Sequence, residues 1–273
     1  MKKKMFLTVL ALACLLMAAV ARAWAAAPET VATGLEAPVG MAFDAQGRLW
    51  VAEWGADRVV LLDERGERAA TINGISRPAG LAFDAAGTLH IAGYGDGRIY
   101  AWTPGGGLAV VAEGLAAPTG LYWSAETGLL AANRNAGEIL RLLPGGGTEV
   151  ISAGHRLPVG VARLADGRLA VSCYGGGIDL VAPDGAVRPL ASPGLVRPGV
   201  GIVAAGPERG PDGLVVVDNG AGAVASLGRG APARVLAGGL ASPVGLCRAP
   251  DGRLHVATWG DGTVRALAGA PRN

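Results

Sequence analysis

Glu36, Glu53, Asn133 and Asp218 are the oxygen-bearing side chains of this 273-residue chain whose placement invites a cation or a polar ligand. Carboxylate and amide oxygens are the donors that hard divalent cations take. Glu53, Asn133 and Asp218 stand at one phase of an internal repeat, each closing a short apolar run in the first, third and fifth copies. His155 occupies a place held elsewhere by Leu35, Ile75, Leu115, Leu195 and Leu240. A histidine that interrupts a repeat is the candidate general base, because its ordinary pKa lies close to neutrality. Trp54, Tyr94, Tyr174 and Trp259 share another phase, and could either stack on a sugar or aromatic ligand or wedge between repeat units. Arg134, at the phase of these aromatics, and Arg77, in the link before Pro78, add cations nearby. No Ser-His-Asp, zinc or phosphate-loop signature is present.

The elements that must position these groups follow from the repeat. Pro38, Pro78, Pro118, Pro158, Pro198 and Pro243 are separated by 40, 40, 40, 40 and 45 residues, and units of that period cannot bury a core alone. Five of the six units, those at Pro38, Pro78, Pro118, Pro158 and Pro243, begin with P-x-G, where proline is tolerated as a strand's first residue because no ladder donor is needed there. The strand ends in a turn such as Asp44-Ala45-Gln46-Gly47, with Asp bonding the turn backbone and Gly accepting positive φ. A second strand (RLWVAE from Arg48, RLHVAT from Arg253) and a third (RVVLL from Arg58, TVRAL from Thr263) follow, and a fourth, outer strand precedes the next Pro. No segment carries a helical stripe. The longer fifth unit, with AAGPERGPDG at 204–213, accounts for the 45-residue interval.

The last unit has three strands, and residues 29–34 form a fourth strand with no unit of its own. The expectation is therefore all-β: a six-bladed β-propeller of four-stranded blades, closed by the N-terminal strand pairing with the last blade, which hides the open sheet edge. One domain over residues 26–273 is expected, with blade repeats starting near 35, 75, 115, 155, 195 and 240. Equal phase means equal height in such a ring. The face bearing the inter-blade links and the turns between second and third strands thus collects Glu36, Arg77, His155, Glu53, Trp54, Tyr94, Asn133, Arg134, Tyr174, Asp218 and Trp259. Glu53, Asn133 and Asp218 close second strands, about 4.8 Å farther from the axis than the first. That places them too far apart for one ion, and each is expected to bond its own turn backbone.

Residues 1–25 have the layout of a secretory signal peptide, with Lys2–Lys4, an apolar run from Met5 to Val20 and small residues that allow a cut after Ala23 or, the favoured site, after Ala25. The run is shorter than the ~20 residues that span a bilayer, so no stable membrane insertion is expected after cleavage. Cys14, preceded by Leu12 and Ala13, loosely matches a lipoprotein processing site. Cleavage removes four of the 24 basic residues (Lys2, Lys3, Lys4 and Arg22), leaving 20 against 22 acidic ones and no lysine. Neither a nucleic-acid stripe nor a polybasic membrane patch remains. The compartment expected is periplasmic or extracellular. Cys173 and Cys247 survive cleavage two units apart, beyond the ~7 Å reach of a disulfide, and are expected to be buried thiols.

The stretches PVGMAFDAQGRLWVA (38–52) and PAGLAFDAAGTLHIA (78–92) resemble the blade consensus of NHL and SMP-30/gluconolactonase-like six-bladed propellers, and are similar to streptogramin lyases. The lactonase resemblance implies a divalent metal, calcium or zinc, held by a Glu in E-x-P and by Asn or Asp just before the Gly of inner strands. Glu36-Ala37-Pro38 matches the first element, whereas the other positions fall on Ala79, Thr119, Val159, Gly199 and Val244. The lyase resemblance implies a His between the Pro and Gly of an inner strand, where this chain has the same small or apolar residues. The reading is a monomeric exported propeller that binds a small molecule or partner protein at the link-bearing face, with no cofactor and no catalysis. The alternative is an SMP-30-like metal-dependent lactonase or hydrolase with rearranged ligands, Glu36 being its one weak metal candidate. An accessory subunit with the rim as interface is a third.

Overall fold

The computed structural model describes residues 27–190, 194–205, 213–228 and 231–267; the signal-peptide reading and Cys14 lie outside them. Its strands, numbered β1–β24 in chain order, make six four-stranded antiparallel sheets arranged as propeller blades. The inner strands are β2 (Pro38–Phe43), β6 (Pro78–Phe83), β10 (Pro118–Ser124), β14 (Pro158–Arg163), β18 (Pro198–Ala204) and β22 (Pro243–Arg248). Ring closure is as expected: β1 (Glu29–Ala32) pairs antiparallel with β24 (Thr263–Ala266), Glu29 opposite Ala266, on the outside of the last blade. Leu35 N donates to Gly262 O at 3.0 Å across the same joint. A single 3-10 turn, Trp54–Ala56, is the one helical piece among the described residues.

The P-x-G signature has a packing reason that turn chemistry does not supply. A Cβ on Gly40 would lie 1.9 Å from the carbonyl oxygen of Ala79, and one on Gly245 would lie 1.8 Å from that of Val39. Gly80, Gly120 and Gly160 face Thr119, Val159 and Val200 in the same way. Each inner strand therefore presses backbone to backbone on the next around the axis, a contact only glycine permits. In the fifth blade the segment reads Pro198-Gly199-Val200-Gly201, and Gly201 makes the close approach one residue late. The position between Pro and Gly there is thus Val200 structurally, and the register of β18 shifts between Pro198 and Ile202.

The core divides into six apolar clusters, one at each blade seam. Met41, Val51 and Val60 pack on Ala257 and Val264 at the closing seam, and Ile99, Ala112, Leu129 and Ala131 fill the seam between the second and third blades. Into these seams the links push one apolar side chain, Leu35, Ile75 and Leu240 being 5%, 0% and 6% exposed. Such a plug contributes roughly 1.5–3 kcal/mol of burial. The seam between the third and fourth blades receives His155 instead. Cys173 and Cys247 are buried free thiols, as the sequence predicts. No helix among the described residues is long and apolar enough to cross a membrane.

Candidate functional site

A cavity of about 340 Å³ opens at the link-bearing end of the channel. Its floor is formed by inner-strand residues, among them Val39, Thr119, Val159, Val200 and Val244. Its rim takes one residue from each blade at a single phase: Trp54, Tyr94, Arg134, Tyr174, Asn219 and Trp259. The four aromatics therefore line the cavity mouth rather than the blade seams. Trp54 packs at a 49° tilt against Trp259 with ring centroids 4.8 Å apart, and Tyr94 lies 6.2 Å from Trp54. Guanidinium groups lie over these rings: Arg77 over Trp54 at 4.9 Å, with Arg134 and Arg197 over Tyr174 at 5.4 and 5.2 Å. Among the described residues Arg134 is the one ionisable cation in the lining, and no carboxylate accompanies it.

The collar is held by an unusual backbone feature. Ala37, Arg77, Ala117, Leu157 and Ser242, each directly before a blade's first proline, have φ between 49° and 58°. Non-glycine residues in this region are strained by about 1–3 kcal/mol. Their carbonyl oxygens accept the N–H groups of Trp54, Tyr94, Arg134, Tyr174 and Trp259 respectively, at 2.8–3.3 Å. Five of the six rim residues are thus fixed by the same strained link.

Glu53, Asn133 and Asp218 lie directly behind that rim and do not line the cavity. They are 0%, 6% and 2% exposed. Their main partners are the link backbones upstream rather than the expected turns: Glu36 N donates to Glu53 Oε1 at 2.8 Å, Ala116 N to Asn133 Oδ1 at 2.7 Å, and Val196 and Arg197 N to the Asp218 carboxylate at 2.8 Å each. Asp218 alone also takes an N–H from its own turn, from Ala221 at 3.2 Å. Arg58 Nε reaches Glu53 Oε2 at 2.6 Å and Arg68 Nη2 reaches Oε1 at 2.7 Å. Burial alone would raise the Glu53 pKa, but the Arg68, Arg58 and Glu36 hydrogen bonds outweigh it and bring it down to about 2. Glu36 is exposed, accepts a 3.4 Å contact from Arg58, and does not face the cavity.

His155 is not at the channel mouth. Its side chain is fully buried at the seam of the third and fourth blades. There Nδ1 lies 2.7 Å from Asp179 Oδ2 and Nε2 lies 2.8 Å from Ser152 Oγ. Cys173 Sγ donates to the same Asp179 oxygen at 3.3 Å. The His155 hydrogen bond lowers the Asp179 pKa against the effect of burial, and burial with the adjacent Asp179 charge pushes the Cys173 thiol up to about 12. Ser152 and Asp179 escape a motif search because their spacing matches no signature. Repeat alignment exposes them: by strand register Ser152 stands where the first two blades have Ile72 and Ala112, and Asp179 where three blades have Val60, Leu140 and Ala225.

No family model matches the sequence, and no curated protein is similar enough in sequence to match it. Solved structures match over most of the chain. A gluconolactonase from Xanthomonas campestris superimposes with a TM-score of 0.73 at 18% identity, covering 87% of this chain and 88% of that one. A candidate oxidoreductase (glucose dehydrogenase) from Thermus thermophilus gives 0.70 at 21% identity, covering 89% and 99%. Virginiamycin B lyase from Staphylococcus aureus gives 0.65 at 17% identity, covering 84% and 79%. The fold is that of the gluconolactonase and streptogramin-lyase propellers. At the inner-strand positions where the lactonase resemblance implies metal-holding side chains, the residues are Ala79, Thr119, Val159, Val200 and Val244. The Thr119 hydroxyl is spent on the carbonyl oxygens of Ala132 and Pro158 at 3.2 and 3.3 Å.

Proposed function

We propose that this chain is an exported binding protein whose ligand is a small molecule with a flat, largely apolar body and an anionic group, held at the channel mouth without turnover. The observation that carries this reading is the six-residue collar, in which aromatic faces surround a cavity of ligand size whose described lining has one cation and no carboxylate. Planar groups slide between Trp54, Tyr94, Tyr174 and Trp259 at low entropic cost, because these side chains are already held by their neighbours. Arg134 donates to Tyr94 Oη at 3.5 Å and to Asn135 Oδ1 at 3.0 Å. It retains donors for a carboxylate or phosphate, the groups its planar fork suits. Export rests on the charge and apolar layout of residues 1–25.

The second reading, a lactonase, is supported by the likeness to gluconolactonase structures. It needs ligands or a base that the cavity lining does not supply: no Asp, Glu or His is among the described lining residues.

Tryptophan fluorescence tests the binding reading. Titration of residues 26–273 with small aromatic carboxylates is expected to give saturable quenching, with the matching neutral amides bound more weakly. Arg134→Gln should weaken the acids by about 10- to 100-fold, the range of a charged hydrogen bond of ~1.5–3 kcal/mol, and Trp54→Ala should abolish the quench of acid and amide alike. Equal binding of acid and amide would remove the anionic ligand class. Hydrolysis of gluconolactone at enzymatic rates, lost in Arg134→Gln, would replace binding with catalysis.

A further inference from the structure

At the seam between the third and fourth blades, four departures from the repeat meet. Ser152 comes from β13 (Thr148–Ala153), His155 from the following link, Cys173 from the end of β15 (Leu169–Cys173) and Asp179 from β16 (Ile178–Val181). At three of these four phases the other blades are mainly apolar, with Leu35, Ile75 and Leu240 plugging seams where His155 stands. At the phases of Ser152 and His155 the first two seams close with hydrocarbon, so polar groups at those positions are not needed to hold the seam. Replacing buried polar networks by apolar residues is often neutral or stabilising. A cluster of three metal-binding side chain types at one seam therefore calls for a reason other than packing.

We infer that His155 Nδ1, Cys173 Sγ and an Asp179 carboxylate oxygen form a site for a borderline-soft divalent cation, zinc in the first place. The three ligand atoms lie within 4.8 Å of one another. The His155–Asp179 and Cys173–Asp179 distances are 2.7 and 3.3 Å. Tetrahedral zinc with bonds of 2.0–2.3 Å separates its donors by about 3.4 Å, so opening the site needs side-chain shifts of under ~1 Å. Sulfur with imidazole nitrogen selects zinc over calcium or magnesium, which take oxygen. Charge agrees: one thiolate and one carboxylate neutralise a divalent ion, leaving no net charge in an apolar seam that includes Leu130, Ile139, Val161 and Val171. Ser152 completes the arrangement, since a metal-bound imidazole needs an acceptor for its other N–H. On binding, Nδ1 turns its lone pair to the ion, the ring N–H lies on Nε2 with the Ser152 hydroxyl turned to accept it, and the thiol proton leaves to solvent. Asp179 is 21% exposed at its side chain, which gives the ion its route from solvent and leaves the fourth position to water.

Cobalt is the probe, because thiolate ligation gives it an ultraviolet charge-transfer band and four-coordination gives intense visible bands. Residues 26–273, stripped with chelator and kept reduced, are expected to bind one equivalent of Co2+ with both features, and Zn2+ should displace it stoichiometrically. Cys173→Ser should lose the charge-transfer band. Ser152→Ala should weaken Zn2+ by about 10- to 100-fold, as loss of an orienting partner does. The double variant His155→Leu with Asp179→Val restores the residues of the first blade and should lose stoichiometric binding while keeping the far-ultraviolet circular dichroism of the parent. A parent protein that takes up no Co2+, or takes it up without the charge-transfer band, overturns the site. So does stoichiometric zinc in the double variant. Should that variant not fold, the parent and Cys173→Ser spectra decide alone.

Discussion

Replacing Glu53 by Gln tests whether the carboxylate behind Trp54 holds the first link in place. The substitution keeps the shape and an acceptor for Glu36 N, but removes the charge that Arg58 and Arg68 surround at 2.6–3.2 Å. Glu53 is 0% exposed, so the full drop from the ordinary 4.5 to about 2 enters the stability. At 1.36 kcal/mol per pH unit this is about 3 kcal/mol at neutral pH. The sign follows from the lowered pKa: the contribution is complete above pH 4.5 and disappears as pH falls toward 2, because the unfolded chain takes the proton first. At pH 3 about 1.4 kcal/mol of it is left by the same linkage. Urea unfolding of parent and Glu53→Gln at pH 7 and pH 3, followed by tryptophan fluorescence and circular dichroism, measures the difference at both. The expected gap is about 3 kcal/mol at pH 7, shrinking by about half or more at pH 3. A gap below ~1 kcal/mol at pH 7, or one equally large at both, would refute the assignment of Glu53 as a buried ion that locks the link.

Gly40→Ala should be costly out of proportion to one methyl group, because its Cβ would meet the Ala79 carbonyl at 1.9 Å and neither backbone can withdraw without opening the ring. A loss of about 3 kcal/mol is expected in thermal or urea unfolding, against about 1–2 kcal/mol for Gly87→Ala, where added atoms meet nothing within 4 Å and only the strain of a side chain at φ +81° opposes them. His255 is 5% exposed, packs edge-on against Phe43 at 5.1 Å, and its Nδ1 has no hydrogen-bond partner. Burial, then the Arg253 charge, lower its pKa below 6.5, so the unfolded chain gains a proton first and the parent loses stability as pH falls through 6.5. His255→Phe should therefore match or exceed the parent at pH 7.5 and gain on it by pH 5.5, read as the difference in unfolding midpoint.

What the sequence discloses follows from how often each feature is repeated. Six prolines, the turn aspartates and the unpaired strand at residues 29–34 establish blade number and closure, and Asp44 and Asp84 bond turn N–H groups at 2.9–3.0 Å as their spacing implies. The aromatic phase of Trp54, Tyr94, Tyr174 and Trp259 is equally visible, but its orientation is not. A side chain at the top of a second strand can face the channel or the seam, and the strained residue before five of the six prolines, whose carbonyl fixes the choice, leaves no trace in residue type: Ala37, Arg77, Ala117, Leu157 and Ser242 share nothing but position. Glu53, Asn133 and Asp218 are legible as one class for the same reason. Their partners are not, since a link N–H is donated by whatever residue stands there. His155 is the opposite case. It is conspicuous as an exception, yet its meaning depends on Ser152, Cys173 and Asp179, which no linear spacing connects and only the stacking of two blades brings within 4 Å of one another in a chain of contacts. A repeat protein thus displays its scaffold in what recurs, whereas a site made of departures becomes readable only when neighbouring units are placed side by side and each departure is compared with the residue it displaces.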